Sequence, residues 1–348
     1  MSSPQLYQGM PMHPPITAVV LAAGKGTRMK SSRAKVLHEV FFQPMVHHVL
    51  NTIQETGIDR CVVIVGHQRQ EVLRVLQGFS IIPVVQEAQL GTGHAVLCAE
   101  NACSETDLVM ILCGDTPLIQ ATTLQAMIET HREQRATLTL MTTLLDQPFG
   151  YGRILCDARG KVQAIIEEKD ATDEQRRIQE INAGIYLVDR SFLFAALGQV
   201  GTDNSQGEVY LTDIVAVANR QGLTVHKFVH PQAMDVLGVN SRVELAQAQA
   251  VLQHRRNRSL MLSGVTLQAP ETILIAPECA IGQDTAIMGN VRISGGTSVG
   301  RECWIASGTV LHDCQLGDGV TIGANSVLEH CRIPEGETIP PLTYRSGA

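Results

Sequence analysis

Aliphatic residues recur every six positions over the last quarter of this chain. Ile275, Ile281, Ile287, Ile293, Val299, Ile305 and Leu311 stand six apart without a miss, and Leu316, Ile322, Leu328, Ile333 and Ile339 continue after one-residue slips. Small or polar residues fill the intervals. That period suits neither the 3.6-residue turn of a helix nor a lone amphipathic strand. It is the signature of a parallel β-helix, whose short strands each send one aliphatic side chain inward so that successive coils stack them. Residues 275–339 hold chain for about three to four triangular coils. So short a stack exposes coil faces that a homotrimer would bury.

Residues 16–240 follow another pattern. Apolar runs at 16–20, 61–65, 81–85 and 108–112 alternate with amphipathic segments at 44–56, 70–76 and 94–100. This βα alternation predicts an α/β sheet covered on both faces, with ligands at the carboxyl ends of its strands. Strands are expected at 137–142, 153–156, 162–166, 181–187 and 223–229, with a helix at 211–219. Behind the capping-box pattern of Ser241-Arg242-Val243-Glu244, residues 243–262 have high helix propensity throughout. The expected organisation is a disordered extension at 1–15, the α/β domain at 16–240, a linking helix at 241–263 and the coils at 264–348.

With 27 Lys+Arg against 34 Asp+Glu the net charge is −7, which argues against general affinity for nucleic acid or an acidic membrane. Nine cysteines without a CxxC pair indicate neither a zinc ribbon nor a secreted disulfide framework, so reduced thiols and a cytoplasmic location are expected. The first fifteen residues are polar and proline-punctuated, without the apolar core of a signal peptide or anchor.

One short stretch defies the negative balance. Lys25, Arg28, Lys30, Arg33 and Lys35 lie within residues 25–35 with no acid among them. They follow the first apolar run through Leu21-Ala22-Ala23-Gly24-Lys25-Gly26-Thr27-Arg28-Met29. A strand breaking into a glycine loop leaves backbone N–H groups to hold an anion, and the cations point to phosphates. Met29 stands where a dinucleotide fingerprint needs its third glycine, and no GK[ST] follows at Walker A spacing.

This loop, with Lys35-Val36-Leu37-His38, resembles the signature of sugar-1-phosphate nucleotidyltransferases. The likeness is strongest to the uridyltransferase half of the bifunctional N-acetylglucosamine-1-phosphate uridyltransferase/glucosamine-1-phosphate acetyltransferase family. It extends over nearly all of residues 16–262 through blocks in the expected order, among them Gln86-Glu87-Ala88-Gln89-Leu90-Gly91-Thr92-Gly93-His94, Gly114-Asp115, Gly150-Tyr151-Gly152-Arg153, Ile166-Glu167-Glu168-Lys169, Glu180-Ile181-Asn182 and Gly238-Val239-Asn240. The implied fold is a Rossmann-like, GT-A-like mixed sheet followed by a left-handed parallel β-helix, the handedness coming from the resemblance.

The resemblance implies uridyl transfer from UTP to N-acetylglucosamine 1-phosphate, with Arg28, Lys35 and Asp115 catalytic and Mg2+ held by Asp115 and Asn240. Leu21, Ala23, Gly24, Lys25, Gly26 and Thr27 would line the nucleotide, with Gln86 and Gly91 reading its base. Thr92, Gly152, Glu167 and Asn182 would hold the sugar, under a lobe carrying Glu208, Tyr210 and Thr212. Such a phosphoryl-centre substitution needs charge neutralisation and in-line placement more than covalent help.

Three departures stand out. Cys113 replaces a frequent tyrosine, which bears on sugar choice. Ala34 replaces a usual proline and is expected to loosen the loop before Lys35. The coils that carry the family's acetyltransferase residues are not among those present, so acetyl transfer is expected to be absent; His312 and His330 read as isolated corner residues. Alternatives are a UTP- or dTTP-dependent pyrophosphorylase for another hexose 1-phosphate, and a non-catalytic scaffold of the same shape.

Overall fold

Alternate residues of the first strand set the architecture. In β1 (Ile16–Ala22), Ala18, Val20 and Ala22 enter one apolar cluster, while Val19, followed beyond the strand by Ala23, enters another. The chain continues through a small hairpin of β2 (Glu39–Val40) and β3 (Gln43–Pro44), then β4 (Arg60–Val65), β5 (Ile82–Val85) and β6 (Leu108–Cys113). In β4, Cys61, Val63 and Val65 face one cluster and Val62 and Ile64 the other. Burial on both faces is why these strands read as unbroken apolar runs.

The remaining strands are β7 (Leu138–Leu144), β8 (Arg153–Cys156), β9 (Val162–Ile166), β10 (Glu180–Asp189) and β11 (Val225–Val229). They complete a mixed sheet in the order β11-β7-β10-β6-β1-β4-β5, with β8 paired to β10 and to β9. Neighbours among β6, β1, β4 and β5 run parallel, whereas β10 is antiparallel to both β6 and β7. The β10 register shifts between Asn182 and Tyr186, and Gly184 there has φ +75°. A bulge of this kind re-aims side chains beside a site.

Covering helices are α1 (Met45–Thr56), α2 (Arg69–Val75), α3 (Thr92–Leu97), α4 (Ala121–Glu133), α5 (Arg190–Leu197) and α6 (Ile214–Arg220). Neither α4 nor α5 was anticipated. In α4 the buried Leu124, Met127, Ile128 and His131 follow helical spacing, but the interspersed threonines hide it. Residues 211–213 form a separate 3-10 turn ahead of α6.

The computed structural model describes residues 15–58 and 60–347, so the extension at 1–15 lies, Pro15 apart, outside the described residues. Its contacts divide the chain into two units, the second comprising Glu39–Gln43 and Val243–Ala348. After the short α7 (Ala233–Val236), α8 (Arg242–Leu262) leads into that second unit. It buries only Ala248, Asn257 and Leu260, so its amides matter more than an apolar face. Asn257 Nδ2 donates to the carbonyls of Pro270 (2.7 Å) and Ile273 (3.0 Å), and Gln253 Nε2 to those of Glu271 (2.9 Å) and Ile273 (2.8 Å). The helix thereby satisfies carbonyls at the first coil, an edge that would otherwise invite pairing.

From β12 (Thr266–Leu267) to β25 (Tyr344–Ser346) the strands stack as three parallel sheets of five, five and four. Ile275, Ile293, Leu311 and Leu328 are consecutive register partners, all fully buried, which is the left-handed hexapeptide coil in its expected form. The stack is longer than three to four coils. Its first and last strands, at Thr266–Leu267 and Tyr344–Ser346, pair in register with Ile287 and Leu328 but fall outside the six-residue aliphatic spacing, so the spacing alone undercounts them. All nine cysteines are free thiols.

Candidate active site

Past β1 the chain turns through Gly24 and Gly26 into a 3-10 turn at Thr27–Met29. Gly26 has φ +64°, and a side chain there would overlap the Lys35 stem. The glycine therefore lets Lys35, first residue of the turn Lys35–Leu37, lie against the loop. Lys35 Nζ donates to Asn240 Oδ1 at 2.7 Å and forms an ion pair with Asp115 Oδ2. Asp115 lies two residues beyond β6, where the Gly114 N–H donates to the Leu21 carbonyl (3.0 Å) and the Val239 N–H to the Asp115 carbonyl (2.8 Å). Thus a carboxylate and an amide oxygen from distant segments converge on one cation. Two hard oxygens in such an arrangement suit Mg2+, which takes a few protein oxygens and completes its shell with phosphate and water.

Beside this trio lies a cavity of about 480 Å³. Its walls include Leu21, Ala23, Gly24, Lys25, Gly26, Thr27 and Arg28 on one side and Gln86, Gly91 and Thr92 on the other, together with Lys35, Asp115 and Asn240. Gln86 is buried, and its Nε2 reaches the Gly91 carbonyl (3.1 Å) and His94 Nδ1 (3.0 Å). Gln89, which the sequence did not single out, donates from Nε2 to the Ala23 carbonyl at 2.9 Å and joins the two walls. Gly91 has φ +104°, and a side chain on it would meet the Val209 carbonyl.

Gly152, Glu167 and Asn182 form a second group and do not line that cavity. Asn182 N–H donates to the Gly152 carbonyl (2.9 Å), and a Cβ on Gly152 would stand 3.5 Å from Glu167 Oε2. The groups are linked through one segment: Leu211 N–H donates to Thr92 Oγ1 (3.2 Å), and Thr212 Oγ1 to Glu167 Oε1 (3.2 Å). Tyr210 and Thr212 are buried, so this lobe is packed structure, and Glu208 reaches the cavity wall. Burial pushes the Glu167 carboxyl above its ordinary range, partly offset by the Thr212 hydroxyl.

Cys113 also lines the cavity. Burial, reinforced by the neighbouring Asp115 charge, pushes its thiol up to about 12, so it is a poor nucleophile at neutral pH. The residues assembled here are those of charge stabilisation rather than covalent catalysis.

Residues 18–181 match the MobA-like NTP transferase domain, and residues 296–330 the bacterial transferase hexapeptide family of six repeats. The bifunctional protein GlmU of Desulfotalea psychrophila is 48% identical over 94% of this chain and 96% of that relative. This chain belongs to the GlmU family. The Geotalea uraniireducens GlmU is 46% identical over 94% of this chain and 72% of its own length. In fold, the chain is like a Bacillus anthracis protein described as a candidate glucose-1-phosphate thymidylyltransferase, with TM-score 0.56 and 20% identity over 68% of this chain and 94% of that one. The chain is accordingly a nucleotidyltransferase enzyme.

Against the GlmU pattern, Ala34 proves informative. Its N–H, which a proline would lack, donates to Gln68 Oε1 at 2.6 Å, while Gln68 Nε2 donates to the Ser32 carbonyl at 2.7 Å. The loop before Lys35 is therefore pinned from outside, contrary to the loosening expected from losing the proline. No local pattern marks Gln68, because both its partners are backbone atoms more than thirty residues away.

Proposed function

We propose that the first unit transfers a uridyl group from UTP to N-acetylglucosamine 1-phosphate, giving UDP-N-acetylglucosamine and pyrophosphate. A phosphate oxygen of the sugar attacks the α-phosphorus as the bond to the pyrophosphate oxygen breaks. The observation that carries this reading is the convergence of Lys35, Asp115 and Asn240 beside a cavity walled by the Gly24–Arg28 loop and Gln86. Backbone N–H groups of the loop, with Arg28, would hold the triphosphate. Lys35 would leave its carboxylate to bridge phosphates as a compact charge. Asp115 and Asn240 would hold Mg2+, which when bound neutralises developing phosphate charge.

With Gln86 Nε2 committed to Gly91 and His94, Oε1 is the end offered to uracil N3–H. Thr92, Gly152, Glu167 and Asn182 would receive the sugar. A homotrimer is also proposed, supported by Trp304, Leu342 and Tyr344 standing exposed on the coils; a monomer in sedimentation at micromolar concentration would oppose it. Among the described residues no helix is long and apolar enough to cross a membrane, and a cytoplasmic location remains part of this proposal. Acetyl transfer is not assigned to these residues: acetyl-CoA and glucosamine 1-phosphate should release no thiol.

The deciding test is a panel of sugar 1-phosphates and nucleoside triphosphates, with pyrophosphate release followed with and without Mg2+. N-acetylglucosamine 1-phosphate with UTP should be fastest, and EDTA should abolish it. Preference for glucose 1-phosphate, to which Cys113 directs attention, would replace the sugar assignment. EDTA-insensitive turnover would remove the metal.

A further inference from the structure

His312 and His330 looked isolated in the sequence, yet the coil between them is seventeen residues long, so His330 stands one residue past Glu329, the rung partner of His312. β19 (Val310–His312) lies between β16 (Arg292–Ser294) and β22 (Val327–Glu329), with Ser294, His312 and Glu329 in successive register. The His330 N–H donates to the His312 carbonyl at 2.8 Å, holding the two rings at adjacent corners with centroids 5.6 Å apart. Between them lies Asp313. Its Oδ2 is 3.2 Å from His312 Nε2 and 3.5 Å from His330 Nδ1, and each of the three side chains offers a ligand atom within 4.8 Å of the other two.

The carboxylate is built into place. Asp313 Oδ1 accepts the Gly296 N–H at 2.7 Å, which leaves Oδ2 to the imidazoles. Gly295 has φ +66°, and any Cβ there would overlap Asp313 Oδ1, so the glycine admits the carboxylate. His312 Nδ1 is 3.1 Å from Ser294 Oγ. With Nδ1–H donating to that hydroxyl, Nε2 presents a lone pair to the carboxylate, an arrangement that a shared cation completes.

We propose that His312, Asp313 and His330 form a binding site for a divalent transition-metal ion of the Zn2+ class on the β-helix, separate from the nucleotidyl-transfer site. Two nitrogens and one oxygen around a tetrahedral ion with arms of about 2.0–2.1 Å stand roughly 3.3 Å apart. The two observed nitrogen to oxygen separations bracket that edge. The 3.5 Å separation to His330 lies beyond the roughly 2.7–3.2 Å range of an N–H···O bond, while the 3.2 Å separation to His312 suits either a hydrogen bond or a shared ion. Imidazole selects zinc, copper or nickel over Mg2+ and Ca2+, which prefer all-oxygen shells. Glu329, on the next rung beside His312, adds negative charge, and three protein ligands leave a position for water or a further ligand.

The test uses the full chain, Zn2+ titrated by calorimetry and Co2+ by its visible absorption, with excess Mg2+ present throughout to occupy oxygen sites. Asp313→Asn and His330→Asn suit the left-handed backbone at these positions (φ 52° and 54°), so the coils should survive, as circular dichroism can check. Wild type should take one equivalent that each variant binds at least ~10-fold more weakly, whereas Asp115→Asn retains it. Titrations of Asp313→Asn and His330→Asn that superpose on wild type would overturn the site, as would complete displacement by Mg2+.

Discussion

In the coils, neighbours in space lie a fixed eighteen or so residues apart; in the sheet, Lys35 and Asn240 meet across 205 residues. The difference is one of how a site is specified. A repeat converts sequence spacing directly into adjacency, so the rung that stacks Leu311 on Leu328 sets Glu329 beside His312 and brings His330, one residue on, within a backbone hydrogen bond of His312. The mixed sheet offers no such rule. Its site depends on several loops ending at one place, and each loop needs its own tether, as Gln68 supplies for residues 32–34 and Gln89 for Ala23.

That contrast can be broken most severely at Asp115. Asp115→Ala removes one of the two oxygens converging on Lys35 and should lower pyrophosphate release by about 10³-fold with circular dichroism unchanged. Turnover near the wild-type rate would detach the trio from the chemistry. In the coils the corresponding experiment concerns stability. Ile305 is fully buried between its register partners Ile287 and Ile322, so Ile305→Ala should cost about 2–5 kcal/mol in the coil transition seen by calorimetry. Nucleotidyl transfer measured below that transition should persist; parallel loss would show that the sheet's site depends on the coils.

A smaller effect is expected at Gln68. Removing two hydrogen bonds from a loop, each worth about 1 kcal/mol, should make Gln68→Ala raise KM for UTP roughly three- to tenfold with a lesser change in kcat. An unchanged KM would mean that the loop holds itself.

At neutral pH the effect that vanishes is a pH dependence, which grows only in acid. His131, in α4, is buried against Thr139 (Nδ1···Oγ1 2.8 Å), and burial, aided by Arg132 and His226, lowers its pKa to about 4. Below about pH 6.5 the unfolded chain takes up a proton that the folded sheet refuses until about 4, so the first unit loses stability as pH falls through that window. His131→Gln should flatten this slope in chemical denaturation. An identical slope would assign it to other groups.

Much of the fold was legible because its signals are local. Two-sided apolar runs, a glycine loop and a six-residue aliphatic period each arise from neighbours in the chain, and the structure contains the sheet, long helix and coils they imply. α4 was missed where its stripe of Leu124, Met127, Ile128 and His131 is diluted by polar residues, and α5 was missed as well. In the candidate site, the loop cations and Asp115 could be picked out by residue type and placement after a strand. Gln68, Gln89 and His94 could not, since their partners are loop backbone atoms or another side chain's amide, with no compositional trace.

The sequence by itself pointed to phosphates as the ligand proposed for the Gly24–Arg28 loop, and it determined that the last quarter of the chain would coil. Charge type and periodicity are properties of the linear chain. Only the tertiary structure decided that Lys35 stands between Asp115 and Asn240, that Ala34 is held through the N–H a proline would lack, and that Asp313 lies between two histidines. Hydrogen bonds and ion pairs act over about 3 Å, a distance that separation along the chain does not encode outside a strict repeat.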